Sequence, residues 1–112
     1  MATFHGIQVY EILEDGNLLN GVYTNTGLLR MGNYDVDNEI ARKKVYDDKG
    51  IDGQYDCRYI ETNNKSVENC ELQITKRQGG YDFIWRKKGK TIYSGIGLMS
   101  GNNHIAVSYI KV

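Results

Sequence analysis

Hydrophobic and polar residues alternate in short segments, which recur about every ten residues between Gly, Asn and Asp. Alternation of this kind, with turn residues between the segments, is typical of antiparallel strands. No stretch sustains the apolar stripe of an amphipathic helix. The best helix candidate is Asp37–Lys44, and the pattern there fits a strand through Ile40–Tyr46 equally well. The chain is therefore predicted to be all-β.

Two-residue turns divide the second half of the chain into a five-stranded meander over residues 53–110. Turn chemistry favours the pairs Asn63-Asn64, Gly79-Gly80, Lys88-Gly89 and Gly101-Asn102. The resulting facing pairs are Cys57 with Cys70, Ile74 with Trp85, Trp85 with Ile92, and Leu98 with Ile105. All four hairpins agree on one apolar inner face, which holds Tyr55, Cys57, Tyr59, Cys70, Leu72, Ile74, Tyr81, Phe83, Trp85, Ile92, Ile96, Leu98, Ile105, Val107 and Tyr109.

The first half is less regular, and its strands are predicted near Gly6–Leu13, Leu18–Thr24, Leu28–Val36 and Ile40–Tyr46. Eight or nine short strands without a helix layer have few ways to bury one face. Closing on themselves removes the exposed edges. We therefore expect one domain, residues 1–112, folded as a small antiparallel meander β-barrel of about eight strands.

Composition narrows the classes of function. The chain carries 14 Lys plus Arg and 14 Asp plus Glu, which argues against a nucleic-acid partner. The charges divide as −5 over residues 1–70 and +5 over residues 71–112. We interpret this split as a surface of paired charges; the alternative is a polarised molecule that associates head to tail or binds an anion. With no long apolar run and no signal-peptide pattern at its start, the chain is expected to be cytoplasmic, without a membrane partner.

Signatures of catalysis and of cofactor binding are missing from the sequence. There is neither a Gly-x-Ser-x-Gly elbow nor a phosphate-binding Gly loop. His5 and His104 do not lie near a Cys at ligand spacing. Asp35, Asp37 and Glu39 alternate as in part of a calcium loop but lack the Gly that should follow, so a solvated acidic loop is expected. We predict no catalytic residue, no metal and no cofactor.

Cys57 and Cys70 face each other in the predicted register. The two-residue turn places them at a non-hydrogen-bonded position, where facing Cα atoms lie about 4.5 Å apart, so a cross-strand disulfide is geometrically feasible. The alternative is a pair of reduced, buried thiols that act as small apolar side chains. The lack of an export signal favours the reduced pair.

The span Gly53–Tyr109 resembles a motif of small bacterial β-barrel proteins. The motif comprises Gly53-Gln54-Tyr55, Leu72–Lys76, Gly80–Trp85, Gly95-Ile96-Gly97, Gly101-Asn102 and Ala106-Val107-Ser108-Tyr109. In shape such proteins are similar to avidin and lipocalin barrels. The resemblance implies the barrel shape. It does not imply a biotin site or lipocalin membership, because the avidin contact residues and the lipocalin Gly-x-Trp start are missing.

Tyrosine hydroxyls on the inner face lead to two hypotheses of function. In the first, they line the barrel mouth and bind a small, partly apolar ligand without catalysis. The ligand-binding residues would be Tyr55, Tyr59, Tyr81, Phe83, Trp85 and Tyr109. In the second, the interior is filled and the protein is an interaction or homo-oligomerisation module, with Ile84 and Tyr93 as interface residues on the outer face.

Overall fold

Eight antiparallel strands close into a barrel in the computed structural model, which describes residues 4–27, 36–61 and 66–112. The strands are β1 (His5–Leu13), β2 (Leu18–Asn25), β3 (Asp37–Lys43), β4 (Gly53–Glu61), β5 (Ser66–Arg77), β6 (Gly80–Lys87), β7 (Lys90–Ser100) and β8 (His104–Lys111). Each strand pairs with the next along the chain, and β1 pairs with β8. The predicted all-β barrel is confirmed.

The first half of the chain departs from the sequence prediction at β3. The helix alternative over Asp37–Lys44 is wrong, because residues 37–43 form a strand that pairs with β2 on one side and β4 on the other. The expected solvated acidic loop is also wrong for Asp37 and Glu39, which are buried in that strand. Asp35 and most of the predicted strand Leu28–Val36 lie outside the described residues.

The hairpins of the second half differ in how well turn chemistry predicted them. The facing pair Cys57 and Cys70 is confirmed, although the turn Asn63-Asn64 lies outside the described residues. The second turn is displaced by one residue, to Gln78-Gly79, because Gly79 takes the positive φ of 83°. Ile74 therefore faces Phe83 rather than Trp85. The alternation is kept, so the predicted inner face of β5 and β6 is correct.

A β-bulge in the third hairpin reverses the faces of β7. The register shifts between Trp85 and Arg86, so Trp85 faces Tyr93 rather than Ile92. Ile96 and Leu98, predicted to lie inside, are 68% and 63% exposed.

Close packing explains why β7 presents glycine to the interior. A Cβ atom on Gly97 would lie 2.7 Å from Cε1 of Phe83 and 3.0 Å from Cδ1 of Ile105. The interior therefore has room for glycine here and none for the side chain of Ile96 or Leu98.

The last turn has three residues, 101–103, with Ser100 facing His104, so the predicted pair Leu98 and Ile105 is also wrong.

The interior of the barrel is packed in its middle. We call the end where β1, β3, β5 and β7 begin the upper end, and the opposite end the lower end. Side chains fill the middle, and they belong to Tyr10, Leu19, Ala41, Tyr55, Leu72, Ile74, Phe83, Ile105 and Val107. Within the described ranges, no helix is long and apolar enough to cross a bilayer.

Hydrogen bonds close the lower end. The Tyr55 hydroxyl lies 2.6 Å from the Gly16 carbonyl oxygen and 2.9 Å from that of Ile51. Lys43 Nζ donates to Asp47 Oδ1 at 2.6 Å and to the Gly50 carbonyl oxygen at 2.8 Å. These bonds tie the β3–β4 connection across the barrel, so the lower end is built for stability.

Candidate ligand pocket

A cavity of about 260 Å³ lies in the upper end of the barrel. Its described lining is mainly aromatic and acidic, and consists of Phe4, Gln8, Tyr23, Asn25, Gly27, Asp37, Glu39, Tyr59, Glu61, Cys70, Trp85, Tyr93 and Tyr109. Barrels of about eight strands can enclose one small ligand, and this cavity is just below the usual lower size of about 300 Å³ for ligand pockets.

Glu39 is the buried acid of this pocket. It is 4% exposed and projects inward from β3. The Tyr10 hydroxyl donates a hydrogen bond to Glu39 Oε2, and Trp85 Nε1 lies 3.3 Å from the same oxygen. Burial raises the pKa of the Glu39 carboxyl because it disfavours the charged form; the bonds from Tyr10 and Trp85 oppose that shift. The structure thus holds a buried carboxyl group whose described donors are neutral.

Aromatic rings form the walls of the pocket on two sides. On one side Tyr93 packs against Phe4 and Tyr109, with ring centroids 5.7 and 5.6 Å apart. Trp85 extends this wall, 5.6 Å from Tyr109. Tyr23 and Tyr59 meet edge to face at 6.5 Å and form a second pair. Rings with this spacing hold one another in place, so the walls are largely preformed.

Several polar groups in the pocket are left with bonding capacity. The hydroxyls of Tyr23, Tyr59 and Tyr93 make no hydrogen bond with the described residues. Nε2 of the buried Gln8 side chain also lacks a bond of normal geometry, although its amide lies near enough to Glu39 to help lower that carboxyl's pKa. Buried polar groups are normally satisfied. A ligand or water in the cavity would supply the missing partners.

The cysteine pair lies beside the pocket. Cys57 and Cys70 are both buried, both reduced, and directly opposite each other. Cys70 lines the cavity. The hydrogen bond with Cys70, followed by burial, raises the pKa of the Cys57 thiol. A thiol with a raised pKa is a poor nucleophile at neutral pH, so Cys57 acts here as part of the packing.

The six ligand residues predicted from sequence are divided between three places. Tyr59, Trp85 and Tyr109 line the upper pocket. Tyr55 and Phe83 are fully buried in the packed middle, below the cavity. Tyr81 lies at the lower end, where it lines a second cavity of about 290 Å³ together with Ile12, Asp15, Gly16, Gly50, Ile51, Met99, Asn102 and Asn103.

The two predicted interface residues are also separated. Ile84 alternates with the buried Phe83 and Trp85, so it lies on the outer face as expected. The placement of Tyr93 on the outer face is wrong: the bulge after Trp85 turns it inward, where its ring packs on Phe4.

Sequence reasoning missed the residues of the first half that line the pocket. These are Phe4, Gln8, Tyr23, Asn25, Gly27, Asp37 and Glu39. A signal for them exists in β3, where Asp37, Glu39, Ala41 and Lys43 alternate with outward residues. Because the inward set is polar, the alternation does not resemble that of an ordinary amphipathic strand.

Comparison with protein-family models, with curated proteins and with solved structures finds no match to this chain. Among the residues that the structure describes, no group of three or more His, Cys, Asp or Glu side chains is arranged to hold a metal ion. The function must therefore be argued from the pocket itself.

Proposed function

We propose that this barrel binds a small, partly apolar ligand, without catalysis, in the upper pocket. One observation carries the proposal: an aromatic-walled cavity of about 260 Å³ with convergent polar groups stands above the packed middle of the barrel. A barrel of this size needs no cavity to be stable, because its interior can be filled completely. Apolar walls with a few convergent polar groups are typical of ligand sites.

The polar groups support a ligand that is only partly apolar. Tyr23, Tyr59 and Tyr93 offer hydroxyls, and Gln8 offers an amide nitrogen, all of them on the cavity. Burial raises the pKa of the Tyr23 and Tyr59 hydroxyls, so they stay neutral and can donate hydrogen bonds. They would orient a ligand whose apolar part lies between the rings.

Native mass spectrometry beside a thermal-shift panel tests the proposal. In the mass spectrum, we expect extra mass on the native protein that is lost on denaturation. In the thermal-shift panel, we expect small aromatic compounds to raise the unfolding midpoint, because they bind the folded state alone. Tyr59→Ala should reduce the rise in unfolding midpoint that a bound compound causes, because the substitution removes part of one wall of the pocket. Tyr46→Ala is the matched control, since Tyr46 is 50% exposed and does not line the pocket. A protein that retains no ligand and is stabilised by no compound would contradict the proposal.

Self-association through the outer surface is a second candidate function, favoured by one feature. Leu98, Ala106, Val9 and Val22 are successive pairing partners across β7, β8, β1 and β2. They form one apolar row on the outside of the barrel, with Ile96 and Ile7 in the next row. Leu98 is 63% exposed, and a second copy of the chain could cover this patch with its own.

Light scattering on the eluting protein tests this second candidate. We expect a dimer that Leu98→Ser converts to a folded monomer, because a polar side chain would stand in the centre of the interface. Val45→Ser is the control, since Val45 is 76% exposed but lies outside both rows. A wild-type protein that is monomeric at every concentration would exclude the candidate.

A further inference from the structure

The charge of the upper pocket restricts the class of ligand more than the shape of the pocket does. This inference rests on the proposed binding function and deepens it. Three of the described lining residues are acidic, namely Asp37, Glu39 and Glu61. No described lining residue is Lys, Arg or His. Asp37 and Glu61 have further interactions in the structure. Glu39 is therefore the residue from which the ligand's charge is inferred.

Neutral groups account for all the described donors to Glu39. Its partners are the hydroxyl of Tyr10 and the indole N–H of Trp85, with the Cys57 thiol and the Gln8 amide beside them. The inward-pointing cation on the same strand is Lys43, four residues away, or about 13 Å along a strand. Lys43 is held at the lower end by Asp47 and Gly50. An ionised Glu39 thus lacks a countercharge in the described barrel, which is an unfavourable arrangement for a buried carboxylate.

The rings around Glu39 provide the second half of a cation site. The faces of Trp, Tyr and Phe attract ammonium groups within about 6 Å, and most strongly where water is excluded. Phe4, Trp85, Tyr93 and Tyr109 form one continuous wall, with Tyr23 and Tyr59 as a separate pair. An anion in this cavity would meet the Glu39 carboxylate and the negative faces of the rings. A cation would interact favourably with both.

We propose that the upper pocket binds a small organic amine in its protonated form, with the ammonium group at Glu39 and the apolar part between the aromatic walls. The cavity of about 260 Å³ corresponds to about nine water molecules at about 30 Å³ each. One ring with a short amine side chain fits that volume. The ammonium supplies the positive charge that Glu39 lacks and hydrogen-bond donors for its free oxygen positions.

Titration with three probes of one shape tests the proposal. The probes are 2-phenylethylammonium, the neutral 2-phenylethanol and the anionic phenylacetate, at pH 7. Trp85 is the single tryptophan of the chain and lies in the pocket beside Glu39, so its emission reports binding at this site. We expect saturable binding of the ammonium probe, at least about tenfold tighter than that of the alcohol, because a hydrogen bond to a charged group is worth about 1.5–3 kcal/mol. The carboxylate probe should bind most weakly.

Two charge-matched variants show whether Glu39 is responsible. Glu39→Gln should lower the affinity for 2-phenylethylammonium at least about tenfold, to that of 2-phenylethanol. Glu11→Gln makes the same change of charge on the exposed outer face of β1 and should leave all affinities unchanged. The relative affinities of the three probes are measured on the wild-type protein. They therefore test the proposal even if Glu39→Gln fails to fold.

The outcomes separate this inference from the proposed function. Equal binding of the ammonium and the alcohol, or full ammonium affinity in a folded Glu39→Gln variant, would overturn the amine and leave a ligand-binding pocket. Binding of none of the three probes, up to their limits of solubility, would overturn both. The expected order of ammonium, alcohol and carboxylate, lost in Glu39→Gln alone, supports both.

Discussion

At the scale of single residues, the central feature of the molecule is a carboxyl group that is buried among neutral donors. Glu39 lies inside the barrel with Tyr10 and Trp85 bonded to it. Burial disfavours its charged form and raises its pKa. Such a residue lowers the stability of the empty protein at neutral pH. We interpret it as a functional residue retained at some expense of stability.

Glu39→Gln should raise the thermal midpoint of the ligand-free protein at pH 7, with a smaller gain at pH 4. Below the unfolded-state pKa of about 4.5, both states of the wild type hold the proton, so the carboxyl carries no penalty. As the pH rises toward the higher folded-state pKa, the unfolded chain releases its proton first, and stability is lost. Glutamine avoids this loss. Calorimetry at the two pH values measures the difference.

Comparing the wild type with Glu39→Gln cancels the pH-dependent stability of most other titratable groups, because both proteins contain those groups. The titratable groups that interact with Glu39 from other strands are Tyr10 on β1, Tyr23 on β2, Cys57 on β4 and Tyr109 on β8; Asp37 shares its strand. A Glu39→Gln protein that is less stable than the wild type at pH 7, but equal at pH 4, would mean that Glu39 is ionised and has a cationic partner.

At the scale of the element, β7 shows how close packing can override alternation. The bulge after Trp85 places Tyr93, Gly95 and Gly97 inside the barrel. It leaves Ile96 and Leu98 on the surface, although both are apolar. The large rings of neighbouring strands occupy the interior, so glycine fits there and a branched side chain does not.

Gly97→Ala should lower the free energy of unfolding by about 1–3 kcal/mol, because the added methyl group would meet Phe83 at 2.7 Å and Ile105 at 3.0 Å. Ser94→Ala on the same strand is the control and should change it by no more than about 0.5 kcal/mol. Urea unfolding followed by Trp85 emission measures both. Equal stability of the two variants would show that the interior has spare room beside Gly97.

At the scale of the whole molecule, the two ends of the barrel differ in structure. The lower end is held by hydrogen bonds from Tyr55 and Lys43 to the connections that cross it. The upper end carries the aromatic-walled cavity. The packed core between them separates the ends, so stability and binding should respond to different substitutions.

Tyr55→Phe should lower the free energy of unfolding by about 1–3 kcal/mol and leave binding of 2-phenylethylammonium unchanged. The substitution leaves the carbonyl oxygens of Gly16 and Ile51 without their hydroxyl donor inside the lower end. Tyr46→Phe is the matched control, because its hydroxyl bonds Glu14 in an exposed position. A change in probe affinity in Tyr55→Phe would show that the two ends are coupled.

Sequence reasoning was sufficient for the barrel fold and for three of the residues that line the proposed site. Turn residues and alternation located the strands from residue 53 onward and the facing pair of cysteines. They also selected Tyr59, Trp85 and Tyr109, which line the pocket. These features depend on local chemistry: which residues accept a turn, and which face a strand buries.

Only the tertiary structure decided which polar residues lie inside. Gln8 and Glu39 point inward while Ile7 and Ile40 point outward, an arrangement that no local preference indicates. The direction of each strand's face follows from closure of the barrel, since a strand between two neighbours must keep their alternation. The sequence by itself determined that the chain forms short antiparallel strands. The packing of eight strands around shared rings determined where Glu39 lies and what it can bind.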